Sequence, residues 1–76
     1  MDTKTLNTFV TLAKEKSYLK TSLKLNYAPS TLSEHISQLE RELQVKLVET
    51  VNKKIRLTRQ GELFLPYAQN ILSSIT

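Results

Sequence analysis

Residues 29–43, "PSTLSEHISQLEREL", leave the chain little choice of fold. Leu32, Ile36, Leu39 and Leu43 step by 4, 3 and 4 residues, which is one narrow face of a helix. Pro29 suits the first turn of that helix, where its missing N–H would be unpaired anyway. The opposite face carries Ser30, Glu34, Ser37, Gln38 and Arg41, with Thr31 and Ser33 at its flanks. Just upstream, Asn26, Tyr27 and Ala28 form a break. A shorter helix is predicted before it, from Tyr18 to Leu25, with Ser17 as its N-cap and Tyr18, Ser22 and Leu25 on one side. Asn26 tolerates a left-handed backbone and can end that helix sharply. Two short helices about a three-residue break make a helix-turn-helix arrangement.

The rest of the chain fits around this pair. Leu6, Phe9, Val10 and Ala13 fall on one face of a first helix over roughly Thr3 to Lys16, with Asp2 or Thr3 to cap it. After the third helix the period changes. Lys46 to Val51 and Ile55 to Leu57 are short and rich in Val, Leu and Ile, and read as a small hairpin joined by Asn52, Lys53 and Lys54. Thr58 can cap a fourth helix on which Phe64, Ala68, Ile71 and Ile75 repeat at helical spacing, widened by Leu65 and Leu72. Pro66 falls inside it and predicts a kink. The apolar pattern is still running at Thr76, so a longer protein is expected.

At 76 residues this is one small domain, for which pairing with another subunit would add stability. No apolar run approaches the roughly 18 residues of a transmembrane helix, and no basic-then-apolar leader follows Met1. There is no cysteine, hence no disulfide and no thiolate metal ligand. These features together predict a cytoplasmic protein. Enzyme readings do poorly. A single His and no Cys leave few nucleophile–base pairs, Glu34 and His35 are adjacent and diverge on a helix, and no Gly-rich phosphate loop is present. No cofactor and no metal site are expected.

The net charge of +4 is distributed unevenly. Residues 1–27 carry +3, residues 28–49 carry −2 and residues 50–76 carry +3. Basic patches flanking a polar helix suit a polyanion, and equally suit ordinary solvation. In a helix-turn-helix, the second helix lies in the DNA major groove and the first crosses the backbone. Small hydroxyls and amides let a helix approach closely and then donate or accept at base edges or phosphates. On this reading Ser30, Thr31, Ser33, Glu34, Ser37 and Gln38 face DNA. Glu34 would accept from a cytosine amino group and serve specificity, not affinity. Affinity must come from phosphate contacts, for which the hairpin offers Lys53, Lys54 and Arg56, and the second helix Lys20 and Lys24. Each residue has a plainer reading. The three hairpin cations fit a wet hairpin, Glu34 a solvated charge, His35 a boundary packing residue, and Tyr18 and Tyr27 core. The acidic middle segment also motivates a rival, a winged-helix protein-interaction module that never meets DNA.

The segments "LNTFVTLAKEKSY", "LKLNYAPSTLSEHISQLERELQVKL" and "IRLTRQGELFLPYA", in this spacing, resemble the N-terminal domain of LysR-type transcriptional regulators over essentially the full chain. The resemblance implies a mainly α, winged helix-turn-helix fold: a three-helix core, a small β-hairpin wing and a C-terminal linker helix. It implies a DNA-binding domain over residues 1–57 and a linker and dimerisation helix over 58–76, with an effector-binding domain absent from this chain. The domain would bind double-stranded operator DNA as a homodimer in a bacterial transcription regulator, with a higher oligomer open to the full-length protein. Phe64, Leu65, Ala68, Ile71, Leu72 and Ile75 would form the pairing stripe. Pro29, Ser30, Thr31, Ser33, Glu34 and Ser37 fall on the family's reading helix, and Lys53 and Arg56 on its wing.

This sequence also departs from the family pattern. Thr21 and Ser22 stand where two Ala are usual, Glu34 where a basic residue or Gln is common, and Ser37 where a base is common. Gln44 replaces a usual Gly, which implies strain if that position needs a positive φ. Val48 replaces a usual Phe, and Thr50 and Lys53 replace common Arg residues, with fewer bidentate phosphate contacts expected.

Overall fold

A computed structural model describes residues 1–75; the side chain of Ile75 and all of Thr76 lie outside the described residues. The element order is α1 (Thr3–Glu15), α2 (Tyr18–Leu25), α3 (Pro29–Leu43), β1 (Val48–Val51), β2 (Lys54–Leu57) and α4 (Arg59–Ile75). Helices α1, α2 and α3 pack on one another, and α4 returns across α1. The outcome is the mainly helical winged architecture that the sequence predicts.

Each helix start has a physical cause. Asp2 accepts from the Thr5 N–H at 2.9 Å and its own N–H donates to the Thr5 hydroxyl at 3.2 Å, a reciprocal cap on α1. The Thr5 N–H holds the Asp2 carboxyl below its ordinary value. Ser17 accepts from the Lys20 N–H at 3.1 Å and caps α2. Pro29 occupies the first position of α3, and Ala28 gives no side-chain cap. Thr58 accepts from the Gly61 N–H at 3.0 Å at the start of α4, which then runs through Pro66 to Ile75.

The core gathers Leu6, Phe9 and Leu12 from α1, Ile36 and Leu39 from α3, Leu47, and Ala68 from α4. Leu32 is also fully buried. Burying such a Leu or Phe side chain is worth about 1.5–3 kcal/mol. Phe9 and Phe64 stack tilted at 5.7 Å between ring centroids and tie α1 to α4. The predicted stripe of α1 is shifted by this arrangement: Leu12 lies in the core, whereas Val10 and Ala13 are half-buried. The two small residues of α2 are satisfied internally. The Thr21 hydroxyl donates to the Ser17 carbonyl at 2.8 Å, and the Ser22 hydroxyl donates to the Tyr27 carbonyl across the break.

The hairpin is shorter at its root and tighter at its tip than the sequence reading. Strand β1 begins at Val48, not Lys46, because Leu47 turns into the core. Its partner begins at Lys54, which pairs with Val51. The connection is therefore Asn52 and Lys53 alone, with φ of 53° and 63°. Two consecutive positive φ values define the mirror-image turn whose twist matches paired strands, so a third connecting residue is not needed.

Lys16, Asn26 and Gln44 each close a helix in the left-handed region. Asn does this at little cost, whereas Gln44, at φ 58° and ψ 35°, does it against its own Cβ. Gln44→Gly should therefore raise stability by about 0.5–1 kcal/mol, after allowance for the freer unfolded chain. Urea unfolding checks this: the midpoint rises with an unchanged slope. A lower midpoint would show that the Gln side chain contributes more than its backbone costs.

Candidate nucleic-acid interface

Helix α3 turns its apolar stripe inward, and this decides what its other face presents. Leu32, Ile36 and Leu39 are buried, so Pro29, Ser30, Ser33 and Glu34 project outward and are exposed. Thr31, Ser37 and Gln38 are half-buried. The break that sets the helix's direction is closed by Asn26 at φ 60°, as its left-handed tolerance predicts. The Ser22 bond to the Tyr27 carbonyl then holds the turn shut.

Two contacts fix α3 to its neighbours. His35 lies with Nδ1 2.8 Å from the hydroxyl of buried Thr8, and Tyr27 meets its ring edge-on at 5.1 Å. His35 is thus the boundary packing residue expected, with a hydrogen bond that the sequence did not reveal. Tyr18 packs against the core from α2. Burial pushes its phenol up; a hydrogen bond with Ser33 pulls it back, and the Glu40 carboxylate pushes it up again. Ser33 is exposed on the outer face of α3, on the side nearest Tyr18.

The wing contributes cations of two kinds. Lys53 and Lys54 are exposed and have no ion-pair partner among the described residues. Arg56 faces Glu49 across the hairpin and donates to it through Nε at 2.8 Å. Only the remaining N–H groups of its fork are left for an outside acceptor. On α2, Lys24 pairs with Glu15 at 3.1 Å, which leaves Lys20 as the unpaired cation there among the described residues. Val48, where a larger residue is usual, is half-buried against the core.

The acidic middle segment proves to be internally tied. Glu40, on α3, is only 12% exposed and reaches Leu47 N–H at 2.7 Å and Val48 N–H at 3.4 Å. Glu42 pairs with the N-terminal amine, Glu49 with Arg56, and Glu34 with Arg41. Each acid of that segment thus has a partner within the domain, although only Glu40 is largely removed from solvent. Glu40 is a residue that sequence reading missed: its spacing marks only another acid on a polar helix.

Helix α4 divides its stripe. Ala68 is fully buried in the domain's own core, and Phe64, Leu65 and Leu72 pack half-buried against it. Of the expected pairing residues with described side chains, only Ile71 is exposed, at 38%. Leu63 and Tyr67, outside the expected set, are 61% and 67% exposed. Leu63, Tyr67 and Ile71 are spaced by four and form a second apolar row on the outer side. The stripe read from the sequence is mostly intramolecular, because α1 takes it.

Three helices, a short turn before an exposed polar helix, and a two-stranded wing define a winged helix-turn-helix domain. The sequence pattern of the bacterial regulatory helix-turn-helix proteins of the lysR family matches residues 3–62. This chain belongs to that family. It is 44% identical over 72 residues to the HTH-type transcriptional regulator CitR of Bacillus subtilis, covering 95% of this chain and 25% of CitR. It is 40% identical over 75 residues to GltR of the same organism, covering 99% of this chain and 25% of GltR. Among solved structures, the BenM DBD in complex with catB site 1 DNA superposes with a TM-score of 0.92 at 35% identity, covering 99% of this chain and 84% of that one. This chain therefore spans about a quarter of the length of the curated relatives it matches. Among the described residues, no helix is long and apolar enough to cross a membrane.

Proposed function

We propose that this chain is the operator-binding part of a dimeric transcription regulator. In this reading α3 enters the major groove with Pro29, Ser30, Thr31, Ser33, Glu34, Ser37 and Gln38 towards the bases and adjoining phosphates. Lys53, Lys54 and the free edge of Arg56 contact the backbone from the wing. The observation that carries the reading is the exposed, hydroxyl-bearing start of α3 behind a closed three-residue turn. The BenM DBD complex, a relative seen on DNA, supports it. Residues 1–57 serve as the DNA-binding unit and residues 58–76 as the linker and dimerisation helix, with the first half of α4 shared with the core. The outer row of Leu63, Tyr67 and Ile71 pairs two copies and sets two reading helices on a near-palindromic site. The protein works without enzymatic activity, in the cytoplasm where its operator lies.

Selection of bound duplexes from a random pool, followed by fluorescence anisotropy, tests this. Log affinity for the selected site should fall steeply with log salt. Lys53→Ala should weaken binding to every duplex and make that slope shallower by about 0.9. Ser33→Ala should instead change preference among bases with the slope unchanged. Absence of any enriched sequence, with capture of no duplex at low salt, would falsify the reading.

A further inference from the structure

We propose that Glu34 and Arg41 form a gate on the reading helix, which couples recognition of a base to seating of a phosphate. This rests on the DNA-binding role proposed above. The two residues are seven apart on α3, two helical turns along one face, and Arg41 Nη2 donates to Glu34 Oε1 at 3.3 Å. Residues three and four beyond Glu34 lie on the same strip of helix. Those are Ser37 and Gln38, so the ion pair spans two of the candidate reading residues. In the free domain the one acid on the groove-facing surface is engaged by a cation further along the same surface.

The pair is built to open. Both side chains are about two-thirds exposed, at 69% for Glu34 and 66% for Arg41. Such pairs contribute only about 0–1 kcal/mol, so a stronger acceptor displaces the carboxylate readily. A place for that acceptor lies next to Arg41. A hollow of about 430 Å³ is lined by Ser37, Glu40, Arg41, Gln44, Val45 and Lys46. Glu40 is turned inside, held by the Leu47 and Val48 amides, with Lys46 Nζ 3.8 Å away. The hollow thus presents two cations at its rim and keeps its acid occupied. Two cations are what an anion needs there, because the C-terminal end of a helix otherwise repels negative charge.

A DNA phosphate entering this hollow takes Arg41 from Glu34, with Lys46 as its second contact. The freed carboxylate then accepts from a cytosine amino group in the groove. Base reading and backbone contact are exchanged for one ion pair, so neither is complete without the other. Over a base that offers no donor, Glu34 is left unpaired beside a phosphate and recaptures Arg41. The acid at position 34 therefore lowers affinity for wrong sites as well as reading the right one.

Anisotropy titrations of wild type, Glu34→Gln, Arg41→Gln and the double variant test this. They use the pool-selected duplex and the same duplex with each cytosine replaced in turn by its analogue lacking the exocyclic amino group, because a T·A pair would bring in the adenine N6 donor. Arg41→Gln should make the salt slope shallower by about 0.9, one phosphate contact. Glu34→Gln should tighten binding to all duplexes while it erases about tenfold of discrimination at one C·G position. In the Arg41→Gln background, Glu34→Gln should tighten binding less than in the wild type, since it relieves phosphate repulsion but releases no Arg41. Circular dichroism should be unchanged throughout, since both residues are exposed. An unchanged slope in Arg41→Gln, or additive effects in the double variant, overturns the gate while leaving the DNA-binding reading intact. A wild-type domain that binds no duplex overturns both.

Discussion

Gly61→Ala should destabilise the domain by about 3 kcal/mol, a large part of the roughly 4–11 kcal/mol that holds a chain of this size together. The usual expectation inside a helix is the reverse, since Ala favours helix by about 1 kcal/mol over Gly. The reversal comes from one contact. A methyl group at residue 61 would sit 2.1 Å from the Leu47 carbonyl oxygen and 3.0 Å from its carbon. That carbonyl cannot move aside freely: it accepts from the Thr58 N–H at 3.0 Å, and the Leu47 side chain is fully buried. Relief requires either lifting the start of α4 from the wing root or giving up the Thr58 bond. Thermal unfolding should show a fall of about 15 °C. A variant that melts at or above the wild-type temperature would show that α4 can shift without loss.

Ile71→Asp should weaken self-association of the domain at least about a hundredfold, because a two-fold interface buries the substituted carboxylate twice. The helical fold should survive, since Ile71 lies at the exposed edge of α4 and is not part of the buried core. Sedimentation at tens of micromolar is the measurement, with Tyr67→Asp as an independent variant on the same row. If both sediment as the wild type does, the outer row is not the pairing surface. Ala68→Asp is a poor probe by comparison: Ala68 is fully buried, so the change would unfold the monomer first.

The difference between Ile71 and Ala68 shows where periodicity stops being informative. Helical spacing marks Phe64, Ala68, Ile71 and Ile75 as one apolar face widened by Leu65 and Leu72, and of these Phe64, Leu65, Ala68 and Leu72 pack into or against the core. Spacing does not say whether a face is covered by its own chain or by another copy. Here α1 covers it, through Phe9 against Phe64. Leu63 and Tyr67, which join Ile71 in the outer row, fall outside that repeat. By contrast, the turn at Asn26, the cap at Ser17 and the inward stripe of α3 were all legible, whereas the positive φ at Gln44 was signalled only by the family's usual Gly there. Each depends on residues near in sequence and on local stereochemistry. Gly61 and Glu40 depend on contacts with residue 47, which folding alone brings near. A lone glycine and one more acid on a polar helix carry no local signal of those roles.

Glu40 also determines how the two halves of the surface move. By holding the amides of Leu47 and Val48, it fastens the root of the hairpin to the third helix one turn before that helix ends. Wing and helix are thereby tied at the hinge of the calliper that they form. Little ordering remains to be done when a duplex arrives. In the proposed complex, a base contact from one jaw and a backbone contact from the other would lie a set distance apart, so sites with an inserted base pair between them should bind more weakly than the selected site.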